Sequence, residues 1–102
     1  MAQWHRLAAA DEVPPGSARE FTAGERVIGL FNVDGTLYAL DGICPHAGGP
    51  LGEGTLQGPV VTCPWHGWQF DVCSGKTPLG SKLKQAVYEV KIEGQDVLVA
   101  VI

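Results

Sequence analysis

The sequence predicts a small all-β protein built from antiparallel strands. Glycine and proline interrupt it every few residues, with 14 Gly and 7 Pro in 102 residues, and no segment keeps an apolar period of 3.6 residues over three helical turns. Two pairs of apolar segments are each joined through an acidic residue and a glycine, which is typical of β-hairpins. We expect residues 1–102 to form one domain, because chains of this length rarely divide.

The first half of the chain predicts a strand followed by a hairpin. Residues 4–8 predict a short strand. Residues 25–33 are rich in Val, Ile, Leu and Phe, and an apolar pattern resumes over residues 36–40. The intervening Asp34-Gly35 favours a two-residue hairpin turn, because both residues tolerate positive φ angles.

The carboxyl end predicts a second hairpin. Apolar and polar residues alternate over residues 88–92, which is the period of a strand with one buried face. Glu93-Gly94 then leads into the apolar residues 97–102. Because this last strand has no polar face, we expect it to be buried on both sides.

The middle of the chain, residues 41–80, has a different composition. It holds all three cysteines, two of the three histidines and nine of the 14 glycines, so we expect an inserted functional lobe. Residues 60–63 and 68–72 predict two short strands joined by residues 64–67. Residues 44–54 predict an ordered loop.

Charge excludes several classes of partner. Eleven Asp and Glu against seven Lys and Arg give a net charge of −4, the wrong sign for binding nucleic acid or an anionic membrane surface. The amino terminus is too polar for a signal peptide. We therefore expect a cytoplasmic protein that binds neither nucleic acid nor membrane.

Two short motifs carry metal-ligand residues. Cys44-Pro45-His46 and Cys63-Pro64-Trp65-His66 are separated by the sixteen residues 47–62. Thiolates and imidazoles one to three residues apart on tight turns can reach one metal centre together. Each motif supplies one Cys and one His, which suits two inequivalent metals, one held by the two cysteines and one by the two histidines.

Residues 44–49 and 63–68 resemble the two cluster-binding loops of Rieske proteins. The resemblance covers residues 44–72 by motif, and the order of the flanking strands is similar to that of small Rieske-type ferredoxins. It implies an all-β Rieske domain with a cluster-binding lobe at about residues 41–80 and one 2Fe-2S cluster per chain. The implied ligands are Cys44, His46, Cys63 and His66.

The same resemblance implies a role for residues around the cluster. Gly48, Gly49 and Gly67 are expected to allow positive φ or close backbone approach. Trp65 is expected to be exposed, either to dock a partner or to shield the cluster. Pro78 corresponds to the proline of the third loop that covers the cluster in the family. The full set of surrounding or docking residues is Pro45, Gly49, Trp65, Gly67, Trp68, Phe70 and Pro78.

Four positions differ from those of high-potential Rieske proteins, and the differences predict a low reduction potential for the cluster. High-potential Rieske subunits of cytochrome bc complexes carry a disulfide between the loops at the positions of Gly49 and Trp65. They also carry a Ser and a Tyr that donate to sulfur where this chain has Trp68 and Phe70. Without those donors the reduced cluster loses stabilisation.

The resemblance implies a one-electron carrier from a flavin-dependent reductase to a terminal oxygenase in aromatic hydrocarbon catabolism. His5 is the one histidine outside the ligand set, so the chain cannot assemble the two-histidine iron site of an oxygenase. It also lacks a dinucleotide or flavin motif. We therefore expect a monomeric carrier rather than an enzyme, with Cys73 as a solvent-facing thiol.

Two alternatives remain open. The small Rieske subunit of an assimilatory nitrite reductase resembles this chain in size and loop sequence. A zinc-stapled interaction module could use the same four ligands. Metal analysis with a visible spectrum separates the zinc case, and the neighbouring genes separate the two redox cases.

Overall fold

The chain folds into antiparallel β-sheets, as the sequence predicts. The computed structural model describes residues 3–43, 48–65, 67–77 and 84–101. Helix in these ranges is confined to two 3-10 turns, Ala10–Glu12 and Leu51–Glu53, and none of it is long and apolar enough to cross a membrane. The strands are β1 (Gln3–Ala9), β2 (Ala18–Ala23), β3 (Arg26–Val33), β4 (Thr36–Asp41), β5 (Thr55–Gln57), β6 (Val60–Thr62), β7 (Gln69–Asp71), β8 (Val87–Tyr88), β9 (Val90–Glu93) and β10 (Asp96–Val101).

Three sheets result, with strand orders β1-β10-β9, β2-β3-β4-β8 and β5-β6-β7. The turn between β3 and β4 is confirmed, because Asp34 and Gly35 both have positive φ, 51° and 95°. The hairpin of β9 and β10 turns at Gly94, with φ 62°. Near its end β10 is buried on both faces, since the successive residues Val99 and Ala100 are 0% and 6% exposed.

The strand predicted over residues 88–92 is divided in two. Tyr88 lies in β8 and pairs with Ala39 of β4, whereas Val90 lies in β9 and pairs with Val99 of β10. The chain therefore changes sheet at Glu89. The prediction of one strand was wrong because the apolar alternation is the same on both sides of the crossing.

Two strands, β2 and β5, were not predicted, because their sequences lack a clear alternation of apolar and polar residues. β2 reads Ala-Arg-Glu-Phe-Thr-Ala and pairs along its whole length with β3, so its partner rather than its composition determines it. In the stretch 44–54, predicted to be an ordered loop, the structure describes residues 48–54. These include the 3-10 turn Leu51–Glu53, whose Leu51 is fully buried.

Two apolar cores lie on opposite faces of the four-stranded sheet. Along β3, Leu30 faces one core and Phe31 the other, as strand alternation requires. The frame core, shared with the β1-β10-β9 sheet, consists of Val13, Ala23, Ile28, Leu30, Leu37, Ala39, Val97, Val99 and Val101. The lobe core, shared with the β5-β6-β7 sheet, consists of Phe31, Leu40, Leu51, Val61, Cys63, Phe70 and Val72.

Candidate metal centre

The first candidate ligand loop starts and ends on a paired stem. Ile43 and Pro50 form an antiparallel bridge, and the Leu51 N–H donates to the Gly42 carbonyl at 2.9 Å. Residues 44–47, which include the predicted ligands Cys44 and His46 and the predicted neighbour Pro45, lie outside the described residues. The stem nevertheless holds both ends of the loop close together.

The second loop joins β6 to β7, as predicted. The Cys63 N–H donates to the Trp68 carbonyl at 2.7 Å, which closes the loop at its base. Gly67 has φ 74°, so its predicted positive φ is confirmed. Trp65 is 51% exposed, as expected for this loop. The predicted ligand His66 lies outside the described residues.

The two loops meet at Gly49. A Cβ on this residue would lie 2.8 Å from the Cys63 Sγ and 2.8 Å from the Trp65 Cβ, so only glycine fits there. The predicted close approach at Gly49 is confirmed, as is the positive φ of Gly48, 74°. The sulfur of one candidate loop thus lies against the backbone of the other.

The surroundings of Cys63 fit an iron–sulfur centre. Its side chain is 1% exposed and belongs to the lobe core, while the Gly49 backbone covers the sulfur on the loop side. Phe70 is fully buried in the same core, and Trp68 packs against this core. A donor set of two cysteines and two histidines is that of a Rieske 2Fe-2S cluster.

A third loop is closed in the same way as the first. Lys76 and Lys84 form an antiparallel bridge, and the Asp71 N–H donates to the Lys76 carbonyl at 2.8 Å. The predicted neighbour Pro78 lies outside the described residues. Its loop is nevertheless anchored at β7, directly after the second ligand loop.

Gln85 is a residue at this site that sequence reasoning missed. Its side chain is 5% exposed, and its Nε2 donates to the carbonyl oxygens of Asp41 and Ile43 at 2.8 and 2.5 Å. It therefore holds the stem of the first loop. A single glutamine has no sequence pattern that would reveal such a role.

Asp41 supports the same stem from β4. Its Oδ1 accepts from the Ile43 N–H at 3.0 Å, and its Oδ2 accepts from the Tyr88 hydroxyl at 3.2 Å. Arg26 donates to that hydroxyl at 3.2 Å. Burial, followed by the charge of Asp41, raises the pKa of Tyr88, so the phenol remains a proton donor at neutral pH.

Cys73 is exposed, which confirms the predicted solvent-facing thiol. Its N–H donates to Asp71 Oδ1 at 2.8 Å. A hydrogen bond with the Cys73 side chain is the main cause that raises the pKa of Tyr38. Cys73 thus belongs to the surface turn after β7 and lies apart from the buried Cys63.

Comparison with known proteins identifies the family of the chain. The model of the Rieske [2Fe-2S] domain matches residues 3–93. The ferredoxin component of the naphthalene 1,2-dioxygenase system of Pseudomonas aeruginosa is 35% identical over 100 residues, 95% of this chain and 94% of that protein. The biphenyl dioxygenase ferredoxin subunit of Pseudomonas sp. strain KKS102 is 41% identical over 98 residues, 92% of this chain and 88% of that protein.

Solved structures show the same likeness. A chain from the complex of reduced oxygenase and oxidized ferredoxin in carbazole 1,9a-dioxygenase superposes with a TM-score of 0.85 at 34% identity, covering 95% of this chain and 92% of that one. A chain described as an NADH-dependent nitrite reductase small subunit from Mycobacterium tuberculosis has a TM-score of 0.89 at 19% identity, covering 100% and 97%, a likeness of fold alone. The protein belongs to the Rieske [2Fe-2S] domain family, whose cofactor is a 2Fe-2S cluster.

Proposed function

We propose that the chain carries single electrons from a flavin-dependent reductase to a terminal oxygenase of the aromatic-ring dioxygenase kind. Relatives named as ferredoxin components match nearly all of it at 35% and 41% identity. The observation in this molecule that carries the proposal is the contact of Gly49 with Cys63, because two loops joined in this way can share one cluster.

In this proposal Cys44 and Cys63 bind one iron, and His46 and His66 bind the other. The bound cluster supplies a one-electron couple. Cys63 offers its thiolate from the lobe core, where burial excludes water. The Gly49 backbone fixes the position of that sulfur from the opposite loop.

Two exposed apolar side chains support a docking role for the surface near the ligands. Trp65 is 51% exposed and precedes His66, and Ile43 is 46% exposed and precedes Cys44. Exposed apolar area beside a cofactor is typical of a protein interface. We therefore assign Trp65 to docking rather than to shielding alone, because half of its surface faces solvent.

The carrier has no catalytic centre of its own in this proposal. With His46 and His66 on the cluster, His5 cannot by itself build the second iron site that an oxygenase needs. We place this single domain, residues 1–102, in the cytoplasm as a monomer. The exposed free thiol of Cys73 suits a reducing compartment.

Affinity capture from the native host tests the proposal. The immobilised chain is expected to retain a flavoprotein reductase and a multisubunit oxygenase, and the reconstituted mixture is expected to reduce the cluster with NADH and to oxidise it on addition of oxygenase. Retention of the large subunit of a nitrite reductase instead would support the alternative. A colourless protein with stoichiometric zinc, isolated from iron-replete cells, would refute every electron-transfer role.

A further inference from the structure

Gln85 is a buried polar side chain beside the candidate metal centre. It is 5% exposed, and a buried amide is costly unless its groups are hydrogen-bonded. Its Nε2 donates to the carbonyl oxygens of Asp41 and Ile43. Both acceptors lie within the three residues that precede Cys44, so the amide acts where the first ligand loop begins.

One of the two hydrogen bonds acts on the peptide that links Ile43 to Cys44. The carbonyl oxygen of Ile43 belongs to this peptide, and a planar peptide moves as a unit. Backbone pairing holds the preceding residue, because the Gly42 N–H donates to the Val27 carbonyl at 2.8 Å. The Gln85 amide therefore adds a second constraint, on the Ile43 carbonyl. This group lies nearer to the proposed ligand Cys44 than the Gly42 N–H does.

Gln85 also joins the first loop to the third. Its N–H donates to the Gly75 carbonyl at 2.7 Å, and a Cβ on Gly75 would collide with the Gln85 carbonyl oxygen. Its neighbour Lys84 pairs with Lys76 at the base of the third loop. One residue thus connects the stem before Cys44 with both ends of that loop.

We propose that Gln85 is a positioning residue for the metal centre, which acts through the Ile43 peptide on the first ligand loop. This proposal rests on the ligation proposed above. Release of a cluster requires the loops to open locally. Loss of a hydrogen bond from the closed state raises the open population by up to about tenfold. Gln85 therefore controls how long the cluster is retained and how its ligands are oriented.

Gln85→Met tests the proposal, because Met has a similar length but no donor. Asn32→Leu is the matched control. Asn32 is also buried, 6% exposed, and its Nδ2 donates to the Val13 carbonyl at 2.7 Å, at the far end of β3 from Val27. Three quantities are measured for each purified protein: the unfolding temperature, the EPR g-values after dithionite reduction, and the half-life of the visible absorbance in a chelator.

Gln85→Met is expected to shift the g-values and to shorten the half-life by about tenfold, whereas Asn32→Leu lowers the unfolding temperature alone. Wild-type g-values and half-life in Gln85→Met would overturn the proposal, and so would equal changes in both variants. If Gln85→Met does not accumulate, Gln85→Asn, which keeps the amide on a shorter side chain, is measured with the same criteria. A wild-type protein that lacks iron and sulfide would instead overturn the ligation on which this rests.

Discussion

The frame core and the lobe core share one sheet but are built from different side chains. The frame core holds nine aliphatic residues, whose stabilisation comes from burial of apolar surface. The lobe core holds two phenylalanines and the thiol of Cys63, a proposed ligand. Under the proposed ligation the stability of the lobe depends on the cluster that this sulfur binds, whereas the frame core contains no proposed ligand.

Strands β4 and β8 of the four-stranded sheet anchor the start of the first loop and the end of the third loop. The first loop leaves from the end of β4, and the segment after the third loop enters β8, which pairs with β4. Gln85 and Asp41 bond to the stem at this junction. From the difference between the two cores we expect that substitutions can perturb the fold and the metal site separately, and the following variants test this expectation.

The largest effect is expected from Cys63→Ser. This change removes a proposed iron ligand from the lobe core, and we expect complete loss of the cluster, because a hydroxyl is a poor substitute for thiolate. Cys73→Ser is the control, since that thiol is exposed. Iron and sulfide analysis with visible spectra checks the pair. Retention of a normal cluster in Cys63→Ser would contradict the assignment.

A matched pair of leucines compares the two cores directly. Leu30 lies in the frame core and Leu51 in the lobe core, and both are 0% exposed. Each Leu→Ala change is expected to lower the free energy of unfolding by about 2–5 kcal/mol. Only Leu51→Ala should accelerate cluster loss in a chelator, because the Leu51 side chain is buried in the same core as Cys63. Equal rates of loss would show that the cores are not independent.

Gly49→Ala is expected to separate the two loops. The added Cβ would overlap Cys63 and Trp65, and overpacking of this kind costs about 1–3 kcal/mol. We expect roughly tenfold lower cluster occupancy at limiting iron, which corresponds to about 1.4 kcal/mol. Gly48→Ala is the control, because it has open space around it and only its φ of 74° is unfavourable. It should lose stability by about 1 kcal/mol while it keeps its cluster.

The most local features of the molecule could be predicted from the sequence. Asp34 and Gly35 specify a turn through their own backbone preferences, and the turn is found. The two Cys-Pro motifs place the proposed ligands of each loop within a few residues of one another. Such features depend on neighbours in the chain.

Features that depend on distant partners could not be predicted. The chain crosses between sheets at Glu89 because Tyr88 and Val90 find partners on different strands, and alternation alone does not identify the partner. Gln85 meets Asp41 across 44 positions of sequence. Gln85 can reach the Asp41 carbonyl only after β4 and β8 have paired.

Trp65→Ala tests docking at the lobe without a change in the core. Truncation of an aromatic side chain at the centre of an interface typically costs more than about 1 kcal/mol, and we expect about tenfold weaker binding to the cognate oxygenase with nearly unchanged visible and EPR spectra. Trp4→Ala is the control, since Trp4 is 41% exposed on the frame. Stopped-flow electron transfer at varied oxygenase concentration checks both. Equal losses in the two variants would refute a docking role specific to the lobe.

The smallest effect concerns the reduction potential. We expect a wild-type potential toward the lower end of the Rieske range, which runs from about −150 to about +300 mV, because neither Trp68 nor Phe70 carries a hydroxyl that donates to sulfur. Protein-film voltammetry measures it, and a value well above zero would contradict the low-potential assignment.

Phe70→Tyr adds the missing donor. Phe70 is 0% exposed in the lobe core with Cys63, so a new hydroxyl there must find a partner or remain buried without one. If it donates to sulfur, a net bond of about 0.5–1.5 kcal/mol in the reduced state raises the one-electron potential by roughly 20–60 mV. If it does not, the potential stays constant and the free energy of unfolding falls by about 1–3 kcal/mol. Voltammetry and thermal unfolding of the same sample distinguish these results, and we expect the first, because Phe70 and Cys63 share one core.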